Sequence, residues 1–335
     1  MNATMSLDNM KHDPVMLDQI ISIISPQHGG TFIDCTFGGG GYSKEILKYS
    51  NTQVLAIDRD QTTFKHAKIL KDKFANRFKF FINKFSNLNE IANKQPKAII
   101  FDLGMSSFQL SDNERGFSFK STGPLNMEMG INNFSAYQAI NFLDNKSLTD
   151  IIKILGEEKD AKKIVNKIIY HRAKKKINTS KELSLIIRNA KKNYKGSKID
   201  PATKTFQAIR IFVNKELTEL MSGLIAAARL LENGGVLAVI TFHSLEDKIV
   251  KYFFNLCSNL KKNPSRYLPV DSNQTNLFHL SQKKPLTPSN KEIIKNYRSR
   301  SAKLRFGIRN NNPFVLPNEF LKKFEKYSKL ESINL

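Results

Sequence analysis

Four consecutive glycines, Gly38–Gly41, stand between an apolar segment, Thr31–Cys35, and a helical pattern that begins near Ser43. Glycines at a strand-to-helix junction let the backbone come close to a ligand. The helix behind them offers unpaired amides at its N-terminus. The next apolar segment, Val54–Asp58, ends on an acid about 20 residues beyond the loop, where a carboxylate reaches ribose hydroxyls. Loop and acid together point to a nucleotide-type cofactor. A P-loop is excluded, because no Gly-Lys-Ser/Thr follows the glycines. A nicotinamide dinucleotide fits this layout, and so does S-adenosylmethionine. Against the first, no obvious substrate domain carries a histidine placed for hydride chemistry.

The pattern continues with a helix over Gln61–Phe74 and strands at Phe78–Ile82 and Ala98–Leu103. Strands that alternate with helices predict a doubly wound, Rossmann-like α/β sheet. Ligands of such sheets lie beyond the carboxyl ends of the strands, so Asp102 is expected to face the crevice. From Gln109 to Glu216 the periodicity is helical, over Leu148–Leu155, Ala161–Arg172, Leu183–Lys192 and Thr203–Leu217. The stripe Phe206, Ile209, Val213 and Leu217 is expected in a core. A strand resumes at Val236–Phe242, and it needs a sheet to join. We therefore expect one sheet domain, 1–108 with 217–335, and an all-helical insertion over 109–216. Ser258–Asn290 is polar and loop-like, and Lys303–Arg309 is expected as a last edge strand.

Lys and Arg number 53 against 30 Asp and Glu, a net charge of +23. That balance favours a polyanionic partner, nucleic acid above all. The runs His171–Lys176 and Arg298–Arg305 are candidates for phosphate contact. Two cysteines, Cys35 and Cys257, make neither a disulfide framework nor a metal-type spacing, and no metal is expected. No stretch approaches the roughly 18 apolar residues of a membrane span. No signal segment is visible, and a cytoplasmic location is expected.

Beyond Asp102 the motifs become specific. They are His12-Asp13-Pro14-Val15, IDCTFGGGGYS (33–43), AIDRD (56–60), FDLGMSSFQLSDNERGFSF (101–119), GEEKDAKKI (156–164), DPATKTFQAIRIFVNKEL (200–217), FHSLEDKIVK (242–251) and RSRSAKLR (298–305). In this order they resemble the S-adenosylmethionine-dependent methyltransferases that modify the N4 amine of a cytosine in bacterial small-subunit ribosomal RNA. The resemblance implies a class I methyltransferase sheet with S-adenosylmethionine as cofactor. It also implies the RNA of the small ribosomal subunit as partner, with the target at the decoding centre. By matching motif, the cofactor contacts would be Gly40, Gly41, Tyr42, Asp58, Phe85, Asp102 and Gln109. Phe85 is expected beside the adenine. Tyr42 stands where the family usually has His, and Phe108 where it commonly has Pro. Asn126-Met127-Glu128-Met129 replaces Asp-Met-Arg-Met.

Asp102 is the expected catalytic residue. A cytosine amine is a poor nucleophile because its lone pair is delocalised into the ring. An acceptor on the N4 hydrogens favours a pyramidal nitrogen and stabilises the charge that develops on attack. Asp102 is placed either for this or for the amino group of the donor. DNA amino-methyltransferases carry a Pro-Pro-aromatic motif at this strand end, and Asp102-Leu103-Gly104 lacks it. Ser244 with Asp247 is expected to cap the helix after the fifth strand.

Overall fold

The computed structural model describes residues 14–92, 95–131, 134–191, 199–258, 276–316 and 318–334. His12 and Asp13, and 259–275 of the polar tail, lie outside the described residues. The chain divides into two compact units. One draws on Met1–Asp58, Thr62–Gly104 and Ala226–Val315 and holds a sheet. The other draws on Arg59–Gln61, Met105–Ile225 and Leu316–Leu335 and is helical.

The strands of the first unit are β1 (Gly30–Asp34), β2 (Thr52–Asp58), β3 (Phe78–Ile82), β4 (Ala98–Asp102), β5 (Val236–Thr241), β6 (Phe278–His279) and β7 (Lys303–Arg309). They form one sheet in the order β3-β2-β1-β4-β5-β7-β6. β1 to β5 run parallel, with Asp34 beside Ala56 and Ile100, and Asp102 beside Ile240. Strands covered on both faces read as unbroken apolar runs. Accordingly Ile99, Ile100 and Phe101 in β4, and Leu237–Ile240 in β5, are fully buried. One core joins Phe32, Phe37, Tyr42, Ile46, Val54, Phe78, Ile100 and Ile240. Because the register is parallel, β1, β2, β3 and β4 all end at the same margin of the sheet.

Lys303–Arg309 is not the edge strand expected from the sequence. It pairs antiparallel with β5 on one side and with the two-residue β6 on the other. Arg309 fixes it there, its Nε donating to the Ala228 carbonyl at 3.0 Å while its own carbonyl accepts from Gly234 N at 2.8 Å. The edge is Phe278–His279, inside the segment read as polar loop.

In the helical unit, Ser135 with Gln138 and Thr179 with Glu182 form capping boxes at the helices Ala136–Phe142 and Ser180–Ala190. Phe206, Ile209, Val213 and Leu217 are buried, as their spacing predicts. Asn214 ties the helix Thr203–Asn214 to the preceding loop: Nδ2 donates to Met127 O at 2.8 Å, and Oδ1 accepts from Met129 N at 2.8 Å.

The boundaries differ from 109 and 216, and the last helix, Glu319–Glu331, belongs to the helical unit. The reason is Glu331, 1% exposed. Its two oxygens accept the N–H groups of Leu217 and Thr218 at 3.0 and 2.8 Å, at the start of the helix Glu216–Leu230. First-turn amides have no partner within their own helix. Replacing Glu331 by Ala orphans both, so we expect a loss of about 1–3 kcal/mol in denaturant unfolding. Glu331→Gln should lose less, since an amide oxygen still accepts. Unfolding unchanged in the alanine variant would show that this clasp does not hold the helix.

Candidate active site

The glycine loop leaves β1 and returns as the helix Gly41–Ile46. Gly40 has φ 75°, a left-handed conformation, and a Cβ there would lie 2.7 Å from the Phe37 ring. A Cβ on Gly41 would meet Pro14 at 2.1 Å. Gly40 therefore demands glycine for the turn, and Gly41 for the close approach of Pro14. Gly38 N–H donates to Asp58 Oδ2 at 2.8 Å, so the acid that ends β2 braces the loop. Thr36 links the loop to β4, its Oγ1 accepting from Asp102 N at 2.7 Å.

Below the loop lies a connected set of polar side chains. Ser43 Oγ donates to Asp34 Oδ2 at 2.7 Å, both fully buried. Tyr42 Oη donates to the Val15 carbonyl at 2.5 Å and lies 3.2 Å from Asp102 Oδ2. A phenol has one proton for these two acceptors. Asp102 Oδ1 is buried and accepts no hydrogen bond from the described residues. Burial raises the Asp102 carboxyl to about 8, against a smaller opposing effect of the Tyr42 hydrogen bond. The charges that act on it most are those of Asp34, Glu246 and Glu292, and these raise it further. Burial also raises Asp34 to about 6 and holds Tyr42 well above the usual phenol range.

An apolar shell, a sealed carboxylate oxygen without a donor and surrounding acids form a site for positive charge. S-adenosylmethionine carries a sulfonium and an ammonium, and the residues present fit it. Phe85 follows β3 half-buried, edge-on to Phe101 at 5.1 Å, at the same margin as Asp58 and Asp102. The Tyr42 side chain is committed to Val15 and Asp102, which leaves its backbone for a cofactor contact. Gln109 lies in the helical unit. Its Oε1 accepts from Ser106 N at 3.0 Å, and its Nε2 donates to Asp60 at 2.8 Å. Asp60 also pairs with Arg115.

The helix Ser244–Leu256 is capped one residue earlier than Ser244. His243 is the N-cap and Glu246 its partner, with Glu246 Oε2 accepting from Phe242 N at 2.8 Å. Asp247 pairs instead with Arg305 and Lys303, at 2.7 and 3.1 Å. Sequence reasoning missed Asp34, Ser43, Glu246 and Glu292. An acid inside the apolar run Thr31–Cys35 was the available signal for Asp34.

The strand order, the glycine loop and the acids at the ends of β2 and β4 define an α/β methyltransferase. The sequence pattern of the MraW methylase family matches residues 9–309, and the chain belongs to that family. S-adenosylmethionine is its methyl donor. Similar proteins include the ribosomal RNA small subunit methyltransferase H of Ehrlichia ruminantium (strain Welgevonden), 45% identical over 305 residues, covering 88% of this chain and 98% of the relative. The protein of that name from Bartonella bacilliformis is 43% identical over 300 residues, covering 89% and 90%. Among the described residues, no helix is long and apolar enough to cross a membrane.

The raised Asp102 carboxyl makes donor binding depend on pH. Near neutrality the ligand-free protein holds this group mostly protonated, and an arriving cation favours the ionised form. Binding should therefore release a proton, and affinity should strengthen from pH 6 to 8 before levelling off. The ligand-free fold has the opposite trend, since an acid raised by folding costs stability as pH climbs through its folded value. Calorimetry in two buffers of different ionisation enthalpy measures the release. Asp102→Asn should abolish it, and Tyr42→Phe should move the rise to higher pH. Equal wild-type affinity at pH 6 and 8.5 would contradict this account.

Proposed function

We propose that the protein transfers a methyl group from S-adenosylmethionine to the N4 amine of one cytosine in small-subunit ribosomal RNA, at the decoding centre. Asp102 carries this reading: it ends β4 with one buried oxygen that has no hydrogen-bond donor among the described residues. The relatives named above are small-subunit ribosomal RNA methyltransferases, and the net charge of +23 suits RNA. The donor supplies a sulfonium methyl when bound. Gly40, Gly41, Asp58 and Phe85 form its cradle in the sheet unit. Gln109, engaged with Asp60, shapes the segment after β4.

The Asp102 carboxylate accepts an N4 hydrogen of the cytosine, which localises the nitrogen lone pair and offsets the positive charge that grows on attack. Once methylated, the nitrogen sheds one proton. The Asp102 carboxylate, ionised while the donor is bound, takes this proton as the sulfonium charge is lost. The base must leave its stack to reach this depth, which costs least in irregular RNA. We further propose that the substrate is RNA within the small ribosomal subunit, which places the reaction in the cytoplasm, and that residues 109–216 recognise it. In that segment Arg172 is committed to the Ile140 and Leu143 carbonyls, whereas Lys174 and Lys176 are exposed.

Asp102→Ala should lower methyl transfer about 100- to 1000-fold. Mass mapping of small-subunit RNA from cells with and without the protein identifies the product. A methyl lost from cytosine N4 supports the proposal. A methyl lost instead from a ring carbon or a ribose, or near wild-type turnover by the alanine variant, would refute it.

A further inference from the structure

A basic and aromatic surface in the sheet unit is linked to Asp102 through Glu292. It is built on the helix Asn290–Lys295 and the turn Tyr297–Ser301. Between 291 and 305 there are six basic residues and one acid, Glu292. That acid ties the surface to the site. Glu292 Oε1 accepts from Met16 N at 2.7 Å, the neighbouring Val15 carbonyl accepts from Tyr42, and Tyr42 meets Asp102. Glu292 is also among the charges acting on Asp102.

The turn is held from within. Ser299 is fully buried, its Oγ donates to Asn296 O at 2.7 Å, and Asn296 Oδ1 accepts from Arg298 N at 3.2 Å. On this fixed turn Tyr297 stands 68% exposed, and Ile294 on the helix before it 86%. Arg300 lies over the Tyr297 ring, 4.3 Å from its centre, and donates to the Tyr297 carbonyl at 3.2 Å. Lys291, Lys295, Arg298 and Arg300 are exposed around it. An exposed aromatic on a rigid turn adds nothing to the core. Beside cations it forms a platform on which a nucleobase stacks while its phosphates are neutralised.

We infer that Tyr297, with Arg298 and Arg300, holds a single-stranded stretch of the substrate RNA next to the target cytosine. This rests on the RNA reading proposed above. Single strands are favoured because their bases are free to stack on a side chain, whereas duplex bases are already stacked. The charge on the surface and its link to Asp102 both point to the RNA that delivers the base.

The probe is a short single-stranded RNA containing cytosine, with its duplex as control, followed by fluorescence anisotropy across a salt series. The wild type should bind the single strand more tightly. Tyr297→Ala should weaken this on the order of tenfold, and Tyr297→Trp should restore it. Arg298→Gln with Arg300→Gln should flatten the salt slope by about 0.7 per lost phosphate contact. Binding of S-adenosylmethionine, measured by calorimetry, should be unchanged in all variants, which verifies the fold. Single-strand affinity and salt slope equal to wild type in these variants would overturn the inference, as would equal wild-type affinity for strand and duplex. Methyl transfer by the wild type to isolated small subunits is followed in parallel. Its absence would count against the proposed function, whereas transfer with an unchanged KM for RNA in Tyr297→Ala would count against the platform alone.

Discussion

The buried carboxyl of Asp102 sets the terms for the rest of the site. Folding draws it out of water at the end of β4, leaves Oδ1 without a donor and surrounds it with the fields of Asp34, Glu246 and Glu292. Such an arrangement costs stability, because Asp102 and Asp34, both raised by burial, are more easily ionised in the unfolded chain. It persists because the parallel sheet over-determines it. The Asp102 amide is bonded to Thr36, and the next amide, Leu103 N, to Ile240 O at 3.0 Å. A buried acid that ionises only at a cost in the ligand-free protein is tuned to a cationic ligand, and the sulfonium donor is one.

The same physics explains why the site and the RNA surface carry opposite charge. The donor needs a buried negative pocket, and the RNA needs an exposed positive one. The chain separates them by depth. Asp34 and Asp102 lie beneath the glycine loop, while Lys291, Lys295, Arg298 and Arg300 remain in solvent. Glu292 stands at the join, its carboxylate spent on Met16 N. Screening by water and salt weakens the interaction between exposed cations and buried acids, so each surface keeps its own preference.

The parallel part of the sheet was legible from residues alone. Unbroken apolar runs such as Ala98–Phe101 and Val236–Ile240 have few alternatives to a strand covered on both faces. Asp58 was legible because its distance from the glycines follows from βαβ geometry. What stayed hidden depends on contacts distant in sequence. Lys303–Arg309 reads as an edge strand until Phe278–His279, two residues too short to show a period, joins its outer side. Glu331 gives no local sign that it caps a helix more than a hundred residues earlier. His243 escaped as a cap because a serine, a commoner cap, follows it.

Tyr42 shows how one departure from a family pattern acts on chemistry. A histidine, which the resemblance leads one to expect there, can take a proton and bring a positive charge beside Asp102. Tyrosine cannot. Its hydroxyl is shared between the Val15 carbonyl and Asp102, and burial with the nearby acids keeps it neutral throughout the physiological range. Among the described residues Asp102 is met by this dipole rather than by a positive charge, so the carboxyl takes its charge when a cation arrives from outside. On the function proposed above, the donor supplies the charge that a histidine would bring, and its binding is coupled to the ionisation of Asp102.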